Sequence, residues 1–120
     1  MKKFYKLLFL ISLSIYLSID ISAQEKNKNV ENAEFKVSGV CEMCKERIEN
    51  AALIKGVKLA EWDKTTGILK VVFVPKKVAL QEIQSAIAEA GHDTELVKAS
   101  DKAYQKLPAC CAYRDDVEIH

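Results

Sequence analysis

Four cysteines carry most of the chemistry open to this chain of 120 residues. Two lie in Cys41-Glu42-Met43-Cys44, and two are adjacent, Cys110-Cys111. The first spacing, placed where a strand hands over to a helix, brings both sulfurs within reach of one ion. One sulfur sits on the loop and the other on the first helical turn. Unpaired backbone N–H groups and the helix dipole face that point and favour anionic sulfur. Two thiolates on an exposed loop suit a soft ion of low coordination number: Cu(I) first, with Zn(II) and Hg(II) as competitors. A structural zinc site takes four ligands, so a pair of cysteines leaves the site open and able to pass its ion on. Two other uses of the pair stay open at this point. One is a disulfide staple in an adaptor domain, and the other is a small thiol–disulfide oxidoreductase attacking through Cys41.

The second pair is flanked by Tyr104, Leu107, Pro108, Tyr113 and Arg114. A disulfide between neighbouring cysteines is strained, because disulfide geometry is specific. Three uses remain for Cys110 and Cys111: a second soft-ion site, closure over Cys41 and Cys44 into a three- or four-thiolate site, or disulfides within or between chains. Hydrolytic chemistry is not indicated. There is no nucleophile–base–acid set, no phosphate loop and no HExxH, so the expectation is a binding protein and not an enzyme. Lys plus Arg is 18 and Asp plus Glu is 17, a net charge of +1. That balance excludes the concentrated positive charge on which duplex binding depends.

The elements that position these residues follow from periodicity. Glu34 to Val40 alternates Phe35 and Val37 with Lys36 and Ser38, a first strand. Cys44, Ile48, Ala51 and Ala52 form one helical stripe, with Glu46, Arg47 and Glu49 on the wet face and Gly56 as the stop. Val57 to Asp63 reads as a second strand, Lys64 to Gly67 as a turn, and Ile68 to Val74 as a third strand with Leu69, Val71 and Phe73 on one face. Leu80, Ile83, Ile87 and Ala90 line a second helix, with Gln81, Glu82, Gln84 and Glu89 outside, and Asp93 to Val97 reads as a fourth strand. The order predicts an α+β, ferredoxin-like βαββαβ sandwich: two helices on one face of a four-stranded antiparallel sheet, plus a C-terminal tail. Tyr104, Leu107 and Tyr113 of the tail are expected to cover the opposite face, where Ile68, Val72 and Val74 point.

The chain divides accordingly into 1–23, 24–32, 33–98 and 99–120. Lys2, Lys3 and Lys6 precede an apolar run from Leu7 to Ile19, and Ile21-Ser22-Ala23 offers a cleavage site. That is the pattern of a secretory signal peptide, and the run of roughly 20 Å of helix is short for a ~30 Å hydrocarbon core. Its removal takes three Lys and one Asp and leaves 97 residues of net charge −1. The expected compartment is therefore outside the cytoplasm, in the periplasm, with no membrane attachment after cleavage. Gln24 to Asn32 is a polar leader, 33–98 the folded domain and 99–120 the tail.

Gly39-Val40-Cys41-Glu42-Met43-Cys44, the strand before it and the element order after it resemble the heavy-metal-associated domain family. Gly56-Val57, Pro75 and Ala90-Gly91-His92-Asp93 support the match. That family includes copper chaperones, N-terminal modules of copper-transporting ATPases and periplasmic mercury-binding proteins. The resemblance covers about residues 33–98 and implies that Cys41 and Cys44 are the metal thiolates. It implies a soft-metal carrier that surrenders its ion by ligand exchange to a metal-transporting ATPase, an efflux component or a cuproenzyme, as a monomer or a metal-bridged dimer. Two departures stand out. The family's Gly-Met-x-Cys is shortened by one residue to Gly39-Val40-Cys41, and Met43 becomes the candidate for the missing Met's anchoring role. His92 stands where many bacterial members have Tyr, which makes its imidazole either a third ligand or a solvated loop side chain.

Overall fold

The computed structural model describes residues 29–115; the expected signal segment 1–23, residues 24–28 of the expected leader and residues 116–120 of the tail lie outside the described residues. The elements run β1 (Glu31–Lys36), α1 (Glu42–Ala52), β2 (Val57–Trp62), β3 (Ile68–Phe73), α2 (Leu80–Glu89), α3 (Asp101–Gln105) and a 3-10 turn, Ala109–Cys111. The strands form an antiparallel sheet in the order β1-β3-β2. Helices α1 and α2 pack on each other, and their buried residues join the inward residues of the sheet in one core. This is the expected α+β ferredoxin-like arrangement.

Local chemistry explains the elements. Phe35, Leu69, Val71 and Phe73 are buried at alternate positions, the period of a strand with one covered face. The β2–β3 turn closes because Asp63 accepts from the N–H groups of Thr65 at 2.7 Å and Thr66 at 3.2 Å, and Gly67 supplies the left-handed residue at φ +73°. Strand β1 begins at Glu31, three residues before the expected Glu34, because Glu31 and Asn32 pair with Phe73 and Val72. Those leading residues are polar and exposed, and backbone pairing leaves no apolar signature in their side chains.

The fourth strand shrinks to a single bridge. Val37 pairs with Thr94, which places that segment on the free edge of β1, and the Ser38 N–H donates to the Asp93 carbonyl at 2.9 Å. Beyond Thr94 the chain curls. The Thr94 N–H donates to the Val97 carbonyl at 2.8 Å, and the Val97 N–H donates to Thr94 Oγ1 at 3.0 Å. The Glu95 carboxylate takes the Lys36 N–H at 2.9 Å, a donor that a longer ladder would have paired with backbone. Thr-centred side-chain bonds thus compete with strand extension. Gln84, expected outside, is buried, where its Oε1 accepts the Leu96 N–H at 2.9 Å.

Among the described residues the tail, through residue 115, does not cover the far sheet face, where Ile68, Val72 and Val74 are half-buried. It packs on α1 and on the Gly91–Asp93 turn. Gly91 makes room for it: with φ at +105°, an added Cβ would meet the Ala103 carbonyl oxygen at 2.8 Å and Leu107 at 3.0 Å.

Candidate metal centre

The loop before α1 is built on Trp62. The indole fills the core beneath the loop, and its Nε1–H donates to the Val37 carbonyl at 3.1 Å. The Trp62 backbone is held as well: its N–H donates to Glu49 at 3.0 Å, and its carbonyl accepts from Lys45 Nζ at 2.8 Å. The i,i+4 pair Lys45–Glu49 closes that bracket, and the charge-assisted bond to Glu49 raises the Lys45 pKa despite opposing desolvation. Gly39 lies on the ring, where a Cβ would stand 3.0 Å from Trp62 and 3.1 Å from Cys44 Cβ. The shortened loop takes its apolar anchor from Val40, 2% exposed, and not from Met43, which is 50% exposed. Met43 lies on the outer side of the helical turn, with Sδ 3.6 Å from Cys110 Sγ.

Cys41 is the N-cap residue of α1, in extended conformation and with no side-chain capping bond, so the first-turn N–H groups face the loop. Cys44 is wholly buried at the first turn. Cys41 Sγ lies 3.5 Å from Cys44 Sγ and 3.9 Å from Cys111 Sγ. Cys44 is joined to Cys111, 67 residues along the chain, in a disulfide with a Cα–Cα distance of 5.8 Å. The alternative of a bridge between Cys41 and Cys44 is not what forms, and Cys41 and Cys110 are free thiols. All three sulfurs of Cys41, Cys44 and Cys111 lie within 4.8 Å of one another, which is the reach of a single soft ion. Cys110 is not one of those three. Its thiol donates to Met43 Sδ at 3.6 Å, and the nearby Cys41 thiol, with burial, raises its pKa.

His92 is not part of this group among the described residues. Nor is it a solvated loop residue: it is 0% exposed. Its Nδ1–H donates to the Ser38 carbonyl at 2.8 Å, and Nε2 is buried with no hydrogen-bond partner among the described residues. Burial lowers its pKa, with Arg47 pushing the same way, against the Ser38 bond and Asp93. A histidine held neutral in the fold but free to charge when unfolded stabilises fully above its ordinary pKa. That contribution is lost as pH falls below about 6.5. Stability measured by denaturant midpoint is therefore expected to drop between pH 7 and pH 5, and the His92→Gln variant should show a shallower drop.

The tail is held beside the sulfurs by a polar clamp. The Tyr113 hydroxyl donates to the Gly91 carbonyl at 2.8 Å and accepts the Asp93 N–H at 2.9 Å, and burial pushes its pKa up to about 12. Arg114 binds Asp93 at 2.8 Å, Asp101 at 3.1 Å and the Ala99 carbonyl at 2.8 Å, and lies over the Tyr104 ring at 4.6 Å. Burial raises the Asp93 pKa, but the Arg114 guanidinium and the Ala99 N–H outweigh it and hold it below the ordinary value. The clamp's contribution to stability is therefore full above about pH 4 and is lost as pH falls further, through the lowered pKa of folded Asp93. Replacing Arg114 with Ala should speed hydrogen exchange across residues 100–114 by on the order of tenfold, the loss of about 1.5 kcal/mol in charge-assisted bonds. The periodicity of the chain carried no trace of this clamp; only the aromatic–Arg composition of the tail hinted at it.

No protein-family model matches the chain, and no curated protein does. Solved structures do. A structure titled CopZ metallochaperone is 30% identical, with a TM-score of 0.52, over 53% of this chain and 98% of its own. The N-terminal domain of a potential copper-translocating P-type ATPase from Bacillus subtilis, in its Cu(I)-loaded state, is 28% identical over 60% of this chain and 92% of its own, with a TM-score of 0.53. Oxidized MerP from Ralstonia metallidurans CH34 shares the fold at 24% identity and a TM-score of 0.52, over 55% of this chain and 94% of its own. With the Cys-x-x-Cys loop at the start of α1 and this fold around it, the chain belongs to the heavy-metal-associated domain family.

Proposed function

We propose that the reduced chain is a soft-metal carrier that holds Cu(I) between Cys41 and Cys44. The observation that supports this is the 3.5 Å approach of the two sulfurs at the uncapped start of α1. Soft thiolate pairs select Cu(I), and Zn(II) and Hg(II) compete for the same donors. Each thiol gives up its proton on binding, so affinity falls as pH drops. Cys44 is buried and Cys41 half-buried, so an incoming partner thiolate reaches the ion from the Cys41 side. The ion then leaves by exchange, one sulfur at a time, with no change in its oxidation state. The partner is a thiolate-bearing domain of a metal-transporting ATPase, an efflux component or a cuproenzyme, and the site of action is the periplasm. Lys45 and Arg47 are tied into the fold through Trp62 and Ala90, so partner contacts fall to the exposed Glu42, Met43 and Glu46 around the loop.

Anaerobic titration of the reduced protein with Cu(I), against a chelating competitor, tests the proposal. One equivalent bound per chain supports it, and failure to compete dismisses it. The Cys44–Cys111 bond favours a second reading, a disulfide-stapled adaptor domain. That reading expects the reduced protein to lose stability and to gain no affinity for soft metals.

A further inference from the structure

The carrier reading uses two sulfurs, yet three converge. We infer that Cys111, delivered by the C-terminal tail, is a third thiolate of the site, so that the tail is a clamp closing a three-sulfur seat for a soft d10 cation such as Cu(I). The inference rests on the carrier reading and adds to it a ligand from outside the Cys-x-x-Cys loop. An ion with metal–sulfur bonds of about 2.3 Å in a trigonal plane spaces its sulfurs about 4 Å apart. Cys41 Sγ already stands 3.5 Å from Cys44 and 3.9 Å from Cys111.

Placement of Cys111 is not accidental to a loose end. The 3-10 turn that carries it packs on α1, and its side chain is 0% exposed in the main core. Arg114 and Tyr113, just beyond it, fasten the chain to Asp93 and Gly91. The adjacent Cys110 faces outward toward Met43 and falls outside the three-sulfur group. One cysteine of the pair is therefore a ligand and its neighbour is not. The seat forms in the reduced chain. A thiol or phosphine reductant supplies two electrons, and two protons are taken up, as the Cys44–Cys111 bond breaks into two thiols. The cation then displaces the thiol protons and joins three sulfurs.

The test uses the purified protein, reduced and then freed of reductant without air, with Cu(I) as the probe. Sulfur coordination is counted by X-ray absorption, and affinity is read against a chelator. Three sulfurs per ion are expected in the unaltered protein and two in Cys111→Ser. Its affinity should fall at least by the about 10–100-fold that loss of an outer-shell partner costs a metal site. Cys110→Ser should match the unaltered protein in both readouts. A measurement that needs no variant accompanies these: Cu(I) should slow hydrogen exchange across residues 100–114. Two sulfurs per ion in the unaltered protein, with Cys111→Ser binding as tightly and no protection of the tail, overturns the clamp and leaves the carrier standing. No Cu(I) binding by any form overturns both.

Discussion

Serine in place of Cys41 or Cys44 should cost Cu(I) affinity about a hundredfold or more, beyond the range for loss of an outer-shell partner. A serine hydroxyl remains protonated at neutral pH and offers a hard donor to a soft ion, so each change removes a thiolate without replacing it. The two variants should differ in one respect. Cys44→Ser also deletes a buried sulfur bonded to Cys111, so its tail should loosen, whereas Cys41→Ser should leave the tail in place. Chelator competition reads the first effect and hydrogen exchange the second. Affinity retained in both variants would remove the pair from the site.

Trp62→Ala is expected to destabilise the fold by about 3–5 kcal/mol, the usual cost of emptying a buried aromatic site. The indole is almost wholly buried, supports Gly39 at the base of the loop, and satisfies the Val37 carbonyl through Nε1–H. Trp62→Phe should cost less, keeping much of the packing while leaving that carbonyl without its donor. Denaturant unfolding measures both. Because Gly39 lies between the ring and Cys44 Cβ, metal affinity should weaken in parallel with stability, a link that separates this tryptophan from core residues remote from the loop.

The fold was legible where side-chain period reports burial directly. Leu69, Val71 and Phe73 marked the inward face of β3, Cys44 and Ile48 the stripe of α1, and Gly67 the hairpin turn. Legibility failed where side-chain hydrogen bonds decided the outcome. Asp93 to Val97 has a strand-like composition, but Thr94 and Glu95 spend their oxygens on turn and edge donors. Gln84 looked like a wet-face residue, and its burial depends on meeting the Leu96 N–H, a partner twelve positions away. His92 was judged by its loop position, yet the Ser38 carbonyl and the packing of Tyr113 carry it inside.

The candidate site was legible in half. Motif and position identified Cys41 and Cys44, because helix geometry alone brings i and i+3 together. Which tail cysteine would join them was not legible. Adjacent residues on a 3-10 turn point in different directions, and the anchoring of Tyr113 and Arg114 on the Gly91–Asp93 turn holds the tail with Cys111 beside the loop sulfurs. Val40 was overlooked as the loop's anchor, although its apolar side chain next to Gly39 was the available signal.

The most direct measurement is elemental analysis of the protein purified without air from the cells that make it, paired with thiol counting before and after the ion is stripped. A soft-metal carrier should arrive with one copper per chain, and its thiols should become reactive only once a chelator has taken the copper away. Protein that arrives free of any soft metal, with Cys44 bridged and unable to take up Cu(I) even after that bridge is reduced, would contradict it.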